Sequence, residues 1–191
     1  VERSFNRITV DGDQSTSDTV AILANGLAEN QVLEKGSRSL RQFTQGLEAI
    51  AERLAKLLVK DGEGATKLVT IHVKGAKNHR EARLAARSVA TSLLVKTAIN
   101  GQDPNWGRIM MALGKSPAVV QAGRVAIWCD DEPVVAAGQQ APGARLDRVR
   151  EIMGRPEFTL SIDLGLGTGQ AEVWTCDLSE EYVRINAKYT T

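Results

Sequence analysis

Between Lys60 and Lys67 the hydrophobic period of this sequence switches from helical to alternating, and two glycines, Gly62 and Gly64, stand at the switch on either side of Glu63. Upstream, Leu40, Phe43, Leu47, Ile50, Ala51, Leu54, Leu57 and Leu58 recur at three- and four-residue spacing. Arg41, Glu48, Glu52, Arg53 and Lys56 fall between them, which predicts a helix over Ser37 to Lys60 with one buried face. Downstream, "KLVTIHVKG" puts Val69, Ile71 and Val73 on one side and Thr70, His72 and Lys74 on the other, the pattern of a half-buried strand. A chain that changes period across so short a connection has to mix helices with a sheet.

The remaining elements follow the same reading. Ala82, Ala85, Ala86 and Val89 predict a helix over Arg80 to Thr91 whose small side chains allow close packing on a sheet. Strands are expected at Arg124 to Trp128, Glu157 to Gly165, Ala171 to Leu178 and Tyr182 to Tyr189, and a helix at Ala144 to Met153. The last strands come in succession without helices between them, so the α/β fold should have a mixed sheet with antiparallel C-terminal strands. "AAGQQAPGA", Ala136 to Ala144, reads as a mobile loop.

Size and charge bound the function. At 191 residues and 42% hydrophobic content the chain can bury a core as a single unit, 1–191. Its 24 basic and 23 acidic residues are dispersed, so no charge block points to nucleic acid or a membrane surface, and small molecules and proteins remain as partners. No apolar run has membrane-spanning length and no signal-peptide layout opens the chain, so it reads as soluble and cytoplasmic. Cys129 and Cys176 fit reduced thiols, with a single bridge as the alternative. The opening "VERSFNRITV" reads as a cut end.

Several motif matches fail on physical grounds. "DGDQSTSDT", Asp11 to Thr19, starts like a calcium loop but has Thr16 where a sharp turn needs glycine and Ile22 where a bidentate Glu is needed. "GLGTG", Gly165 to Gly169, precedes a strand and not a helix, which removes the helix N-terminus that binds a pyrophosphate and favours a hairpin turn. His72 and His79 have no metal-ligand partners at useful spacing and read as surface residues.

What remains is a set of polar, glycine-rich segments: "DGDQSTSDT", "DGEGATK", "NGQDPNWGR" and the terminal "YVRINAKYTT". Taken singly, each reads as a turn. Taken in order, from "SFNRITVDGD" through "SLLVKTAINGQDPNWGR" to "YVRINAKYTT", the chain resembles the ornithine acetyltransferases of arginine biosynthesis, also called glutamate N-acetyltransferases, over essentially its whole length. Gln14 and Ser17 stand where Thr and Asn are commoner in that family.

The resemblance implies a layered α/β sandwich and a precursor that cuts itself before a threonine, the nucleophile of the second, beta chain. This sequence looks like most of that beta chain, beginning shortly after the threonine, so no catalytic residue is assigned in it. The implied reaction is ping-pong: N-acetylornithine acylates the threonine, ornithine leaves, and glutamate takes the acetyl group, with no metal or organic cofactor. Some family members also take acetyl-CoA as donor. The implied partner is the alpha chain of the same precursor, in an α2β2 heterotetramer.

The family's substrate-binding positions match Glu63, Asn186 and Thr191. An amino-acid substrate carries an ammonium and a carboxylate, and a Glu between glycines can approach it without side-chain crowding. The plainer alternative makes Gly62 a helix C-cap and Glu63 a solvated turn residue. "GQDPNWGR" stands open between a structural role, with Trp106, Ile109, Met110 and Leu113 as a buried helix face, and a place lining the site. Two rivals remain for the whole chain: a related amidase that releases acetate, and a non-catalytic interaction subunit or fragment.

Overall fold

The computed structural model describes residues 1–189, so Thr191 lies outside the described residues. Seven strands form one mixed sheet: β1 (Ile8–Thr9), β2 (Leu68–Ala76), β3 (Ala126–Cys129), β4 (Glu132–Ala136), β5 (Gln139–Gln140), β6 (Glu157–Asp163) and β7 (Gly169–Cys176), in the spatial order β1-β7-β2-β6-β3-β4-β5. β2 is the middle of the fold. It pairs in parallel with β6, Leu68 opposite Glu157, and antiparallel with β7, Leu68 opposite Cys176. The mixed, partly antiparallel sheet is the one the sequence implied.

Six helices accompany it: α1 (Arg38–Lys60), α2 (His79–Ala90), α3 (Leu93–Asn100), α4 (Trp106–Lys115), α5 (Leu146–Met153) and α6 (Glu180–Lys188). Three start where a short polar side chain takes an orphan N–H: Ser37 accepts from Leu40, Asn78 from Glu81 and Ser92 from Val95. Val69, Ile71 and Val73 of β2 face Ala82, Ala85, Ala86 and Val89 of α2, all fully buried. On the opposite face a smaller cluster joins Ala55 and Val59 of α1 to Leu68, Trp174 and Cys176. Two helical layers on one sheet make the layered α/β arrangement.

Three local expectations change. Tyr182 to Lys188 is not a strand but most of α6, because Glu180 and Glu181 in the first turn and Lys188 in the last suit a helix and its dipole. Its Val183 and Ile185 had mimicked a two-residue alternation. "GLGTG" is not a hairpin turn: β6 and β7 both pair with β2, which lies between them, so the turn carries the chain across the end of β2. The third change is in α1, whose helix is present but whose apolar face is uncovered. Only Ala55 and Val59 are buried, while Phe43 is 58% and Ile50 60% exposed, because the helix meets the sheet through its C-terminal part alone. Within residues 136–144, Ala137 and Gly138, both at positive φ, make a tight hairpin turn between β4 and β5, and a second turn closes from Ala141 to Ala144. Cys129 and Cys176 are free and buried, as reduced thiols should be. No helix among the described residues is long and apolar enough to cross a membrane.

Candidate functional site

α1 ends at Asp61, whose N–H bonds to Leu57 O at 2.9 Å, so neither Gly62 nor Glu63 is the helix cap. The two glycines do different work. A Cβ on Gly62 would stand 3.0 Å from Val10 Cγ1, so this glycine lets the turn close onto the residue that follows β1. Gly64 has a φ of +65° and a Cβ there would stand 2.6 Å from the Tyr182 nitrogen, so it lets the turn lie against α6. Between them Glu63 is exposed and held on a turn that side chains cannot crowd.

The partner that meets it is Asn186. Its Nδ2 donates to Glu63 Oε2 and also to Tyr182 O, 3.0 Å away and one turn earlier in α6. Two of the residues singled out from the sequence, 123 positions apart, therefore touch, although Asn186 reaches the site from a helix and not from a strand face. The third, Thr191, lies outside the described residues.

Sequence reasoning missed the rest of the constellation. Tyr182 donates its hydroxyl to Asp11 Oδ2 at 3.0 Å, which ties the "DGD" turn to α6. Burial, the bond to Asp11 and the charges of Asp11, Glu63 and Asp13 push the Tyr182 phenol up to about 12, so it stays a donor at neutral pH. The charges of three carboxylates thus act on this one phenol, and Asp11 touches it. Ser179 donates to Gly64 O at 2.6 Å, fastening the Glu63 turn to the start of α6. The helical spacing of Tyr182 and Asn186, four apart, was the available signal, and the strand reading of this segment hid it.

Beneath the turn lies a buried polar layer. Asp177, 3% exposed, accepts from Thr66 N (2.8 Å), Lys67 N (3.0 Å), Thr66 Oγ1 (2.6 Å) and Asn100 Nδ2 (2.7 Å). Burial alone would raise its pKa, but the donors from Thr66, Asn100 and Lys67 outweigh it and hold the carboxyl below the usual value. In "GQDPNWGR" and the helix that follows, Ile109 and Leu113 of α4 enter the core, Trp106 packs against it, and Arg108 braces α3 by donating to Leu94 O at 3.0 Å. His79 is exposed at the start of α2 and His72 is partly exposed on β2. Among the described residues no three His, Cys, Asp or Glu side chains form a group that could hold a metal ion.

Chemically, the arrangement presents a carboxylate oriented by an amide, a pair able to meet a polar or cationic group. Known proteins give this geometry its context. Residues 1–191 match the ArgJ family. The arginine biosynthesis bifunctional protein ArgJ of Geobacter sulfurreducens is 51% identical over 190 residues, covering 100% of this chain and 48% of that protein. The protein of the same name from Chlorobaculum tepidum is 49% identical, covering 97% of this chain and 45% of its own length. A crystal structure of the arginine biosynthesis bifunctional protein argJ from Bacillus halodurans matches with a TM-score of 0.91 at 41% identity, over 97% of this chain and 87% of that one. The chain spans about half the length of the curated relatives it matches. A match to every residue, with the fold to go with it, means that the chain belongs to the ArgJ family.

Proposed function

We propose that this chain is the beta-chain part of an acyltransferase that moves the acetyl group of N-acetylornithine to glutamate through an acyl-threonine intermediate. The threonine and the donors that stabilise the oxyanion come, in this reading, from residues outside this chain. The chain's own contribution is the substrate wall. The Glu63 carboxylate takes the ammonium of the amino-acid substrate, Asn186 holds that carboxylate in place and offers a second polar contact, and Thr191 completes the set.

The observation that carries the reading is the contact between Glu63 and Asn186, two residues that the family resemblance singled out and that the fold brings together from opposite parts of the chain. The charges of Asp11, Asp13 and Glu63 acting on Tyr182 support a cationic ligand. The partner in this reading is the alpha chain of the same precursor, in an α2β2 heterotetramer, and it would cover the exposed face of α1, where Phe43, Ile50, Leu54 and Leu58 face solvent. The chain matches 87% of the crystallised Bacillus halodurans chain but 48% of the Geobacter sulfurreducens protein, the relation a two-chain enzyme would give.

The test is steady-state kinetics of the complete two-chain enzyme carrying Glu63→Gln. Loss of a charge-assisted bond should lower kcat/KM about ten- to hundredfold for N-acetylornithine and for glutamate, with the melting temperature unchanged. Wild-type kinetics with both substrates would refute the site assignment. Release of acetate to water at the same rate with and without glutamate would make the protein an amidase instead.

A further inference from the structure

The strongest unexplained feature is the investment of a fully buried carboxylate, with four donors, directly under an exposed turn. We propose that Asp177 is a positioning residue that sets Glu63 and Asn186 in register with each other; the proposal rests on the reading of those two residues as substrate groups. Three connections carry it. Asp177 Oδ1 takes the N–H groups of Thr66 and Lys67 while Oδ2 takes the Thr66 hydroxyl, which fixes the backbone three residues after Glu63. Two residues beyond Asp177, Ser179 donates to Gly64 O at 2.6 Å, fixing the residue next to Glu63. The same short segment, residues 177–179, leads straight into α6, so the point that anchors the Glu63 turn is also the root of the helix that presents Asn186.

The anchor is tied in turn to the core. Asn100 Nδ2, at the end of α3, donates to Asp177 Oδ2, and Lys67 Nζ returns to Asn100 O at 3.2 Å. Leu178 N bonds to Lys96 O at 3.2 Å, adding α3 to the other side of the segment. A charged carboxylate suits this place because both of its oxygens accept and four donors converge on it; a carboxamide has one accepting oxygen and would turn an NH2 group toward other donors. This also gives "LLVKTAIN", the first half of the segment that ends in "GQDPNWGR", a purpose that its composition conceals: Lys96 and Asn100 hold the site's foundation and do not touch the site.

The experiment is a double-mutant cycle in the complete enzyme with N-acetylornithine as the probe. Asp177→Asn alone should raise KM about tenfold, short of the roughly hundredfold loss that a misplacement of a full ångström can cause. In a Glu63→Gln background the same substitution should add less than about threefold, since neighbours acting as a unit are not additive. A purely structural Asp177 would impair both backgrounds equally. Thr66→Val, which removes one of the four bonds at an exposed residue, is the second variant and should raise KM in the same direction by a smaller factor if Asp177→Asn fails to fold. Equal losses in both backgrounds, or wild-type KM for Asp177→Asn or for Thr66→Val, overturn the positioning role while leaving Glu63 as a substrate group. Wild-type kinetics for Glu63→Gln overturn the site reading, and the proposal with it.

Discussion

Lys96 places its ammonium on the end of β7, donating to the carbonyl of Cys176 and to Thr175 Oγ1 at 3.2 Å, with Cys176 Sγ 3.4 Å away, in a pocket where the side chain is 1% exposed. Burial pulls its pKa below the ordinary lysine value, against the pull of Cys176, Asp177 and Asp11 in the other direction. The contacts are to neutral acceptors, so charge counts for less here than the length and donors of the side chain. Lys96→Ala should lose about 2–5 kcal/mol in urea denaturation, from the cavity and the orphaned carbonyl together. Lys96→Met, which keeps the volume, should lose less than half of that. Equal losses for the two would show that the hydrogen bonds, and not the packing, hold α3 to β7.

Gly64 and Gly46 make a matched pair of alanine substitutions. At Gly64 the φ is +65° and the new Cβ would press on Tyr182 N and Ser179 Oγ, so Gly64→Ala should cost about 1–3 kcal/mol and loosen Asn186 from Glu63. Gly46 lies inside α1 with open space around it, so Gly46→Ala should stabilise by about 0.5–1 kcal/mol. Thermal denaturation of the two variants reads both signs.

Under the proposed function, Asn186→Asp should be worse than Asn186→Ala in the complete enzyme. Alanine removes the bond to Glu63, whereas aspartate puts a second carboxylate in its place and sets like charges against each other. KM for N-acetylornithine should rise about tenfold for Ala and further for Asp at neutral pH. A smaller KM for Asp than for wild type would mean that the ammonium sits between the two positions and not on Glu63.

Alkaline stability should depend on Cys129. Burial and the neighbouring charge of Asp130 push this thiol up to about 12, whereas in the unfolded chain a thiol titrates near about 8.5. The unfolded state therefore loses its proton first. The stabilisation is fully present below about pH 8.5 and is lost as pH climbs toward the folded value. Cys129→Ala should flatten the fall in unfolding free energy over that window, at the cost of a small cavity. An unchanged slope would place the alkaline loss on other groups, Tyr182 first among them.

Much of the fold could be read from period alone. β2 and α2 lie within a residue or two of where Val69, Ile71, Val73 and Ala82, Ala85, Ala86 put them, because each has a fully buried face that enforces its pattern. α6 departs from the strand expectation because none of its residues is buried; without a core face, Val183 and Ile185 do not distinguish a period of two from a helix, and the charge signals at Glu180, Glu181 and Lys188 are the better guide. α1 had the clearest helical pattern in the chain, yet its leucines face outward, since an apolar stripe reports that something covers it and not what does. Glu63 and Asn186 were identified by resemblance, and only the fold could show them touching. Asp177 gave no signal, because a lone aspartate after a strand looks the same whether it meets water or four donors.

The central place of β2 has a consequence for how the protein comes into being. Its two ladders join residue 68 to residues 157 and 176, so the strand that organises the sheet is synthesised long before either neighbour exists. Until β6 and β7 emerge, Val69, Ile71 and Val73 have α2 to cover them but both edges of β2 stand open, the condition in which a hydrophobic strand recruits the wrong partner. Loop closure over such separations is slow, and it is β7, followed by Asp177 and α6, that closes the sheet and then brings Asn186 to Glu63. A chain stopped short of residue 157 would therefore carry an early strand with no partner on either side, which makes the arrival of β6 and β7 the step that commits the sheet.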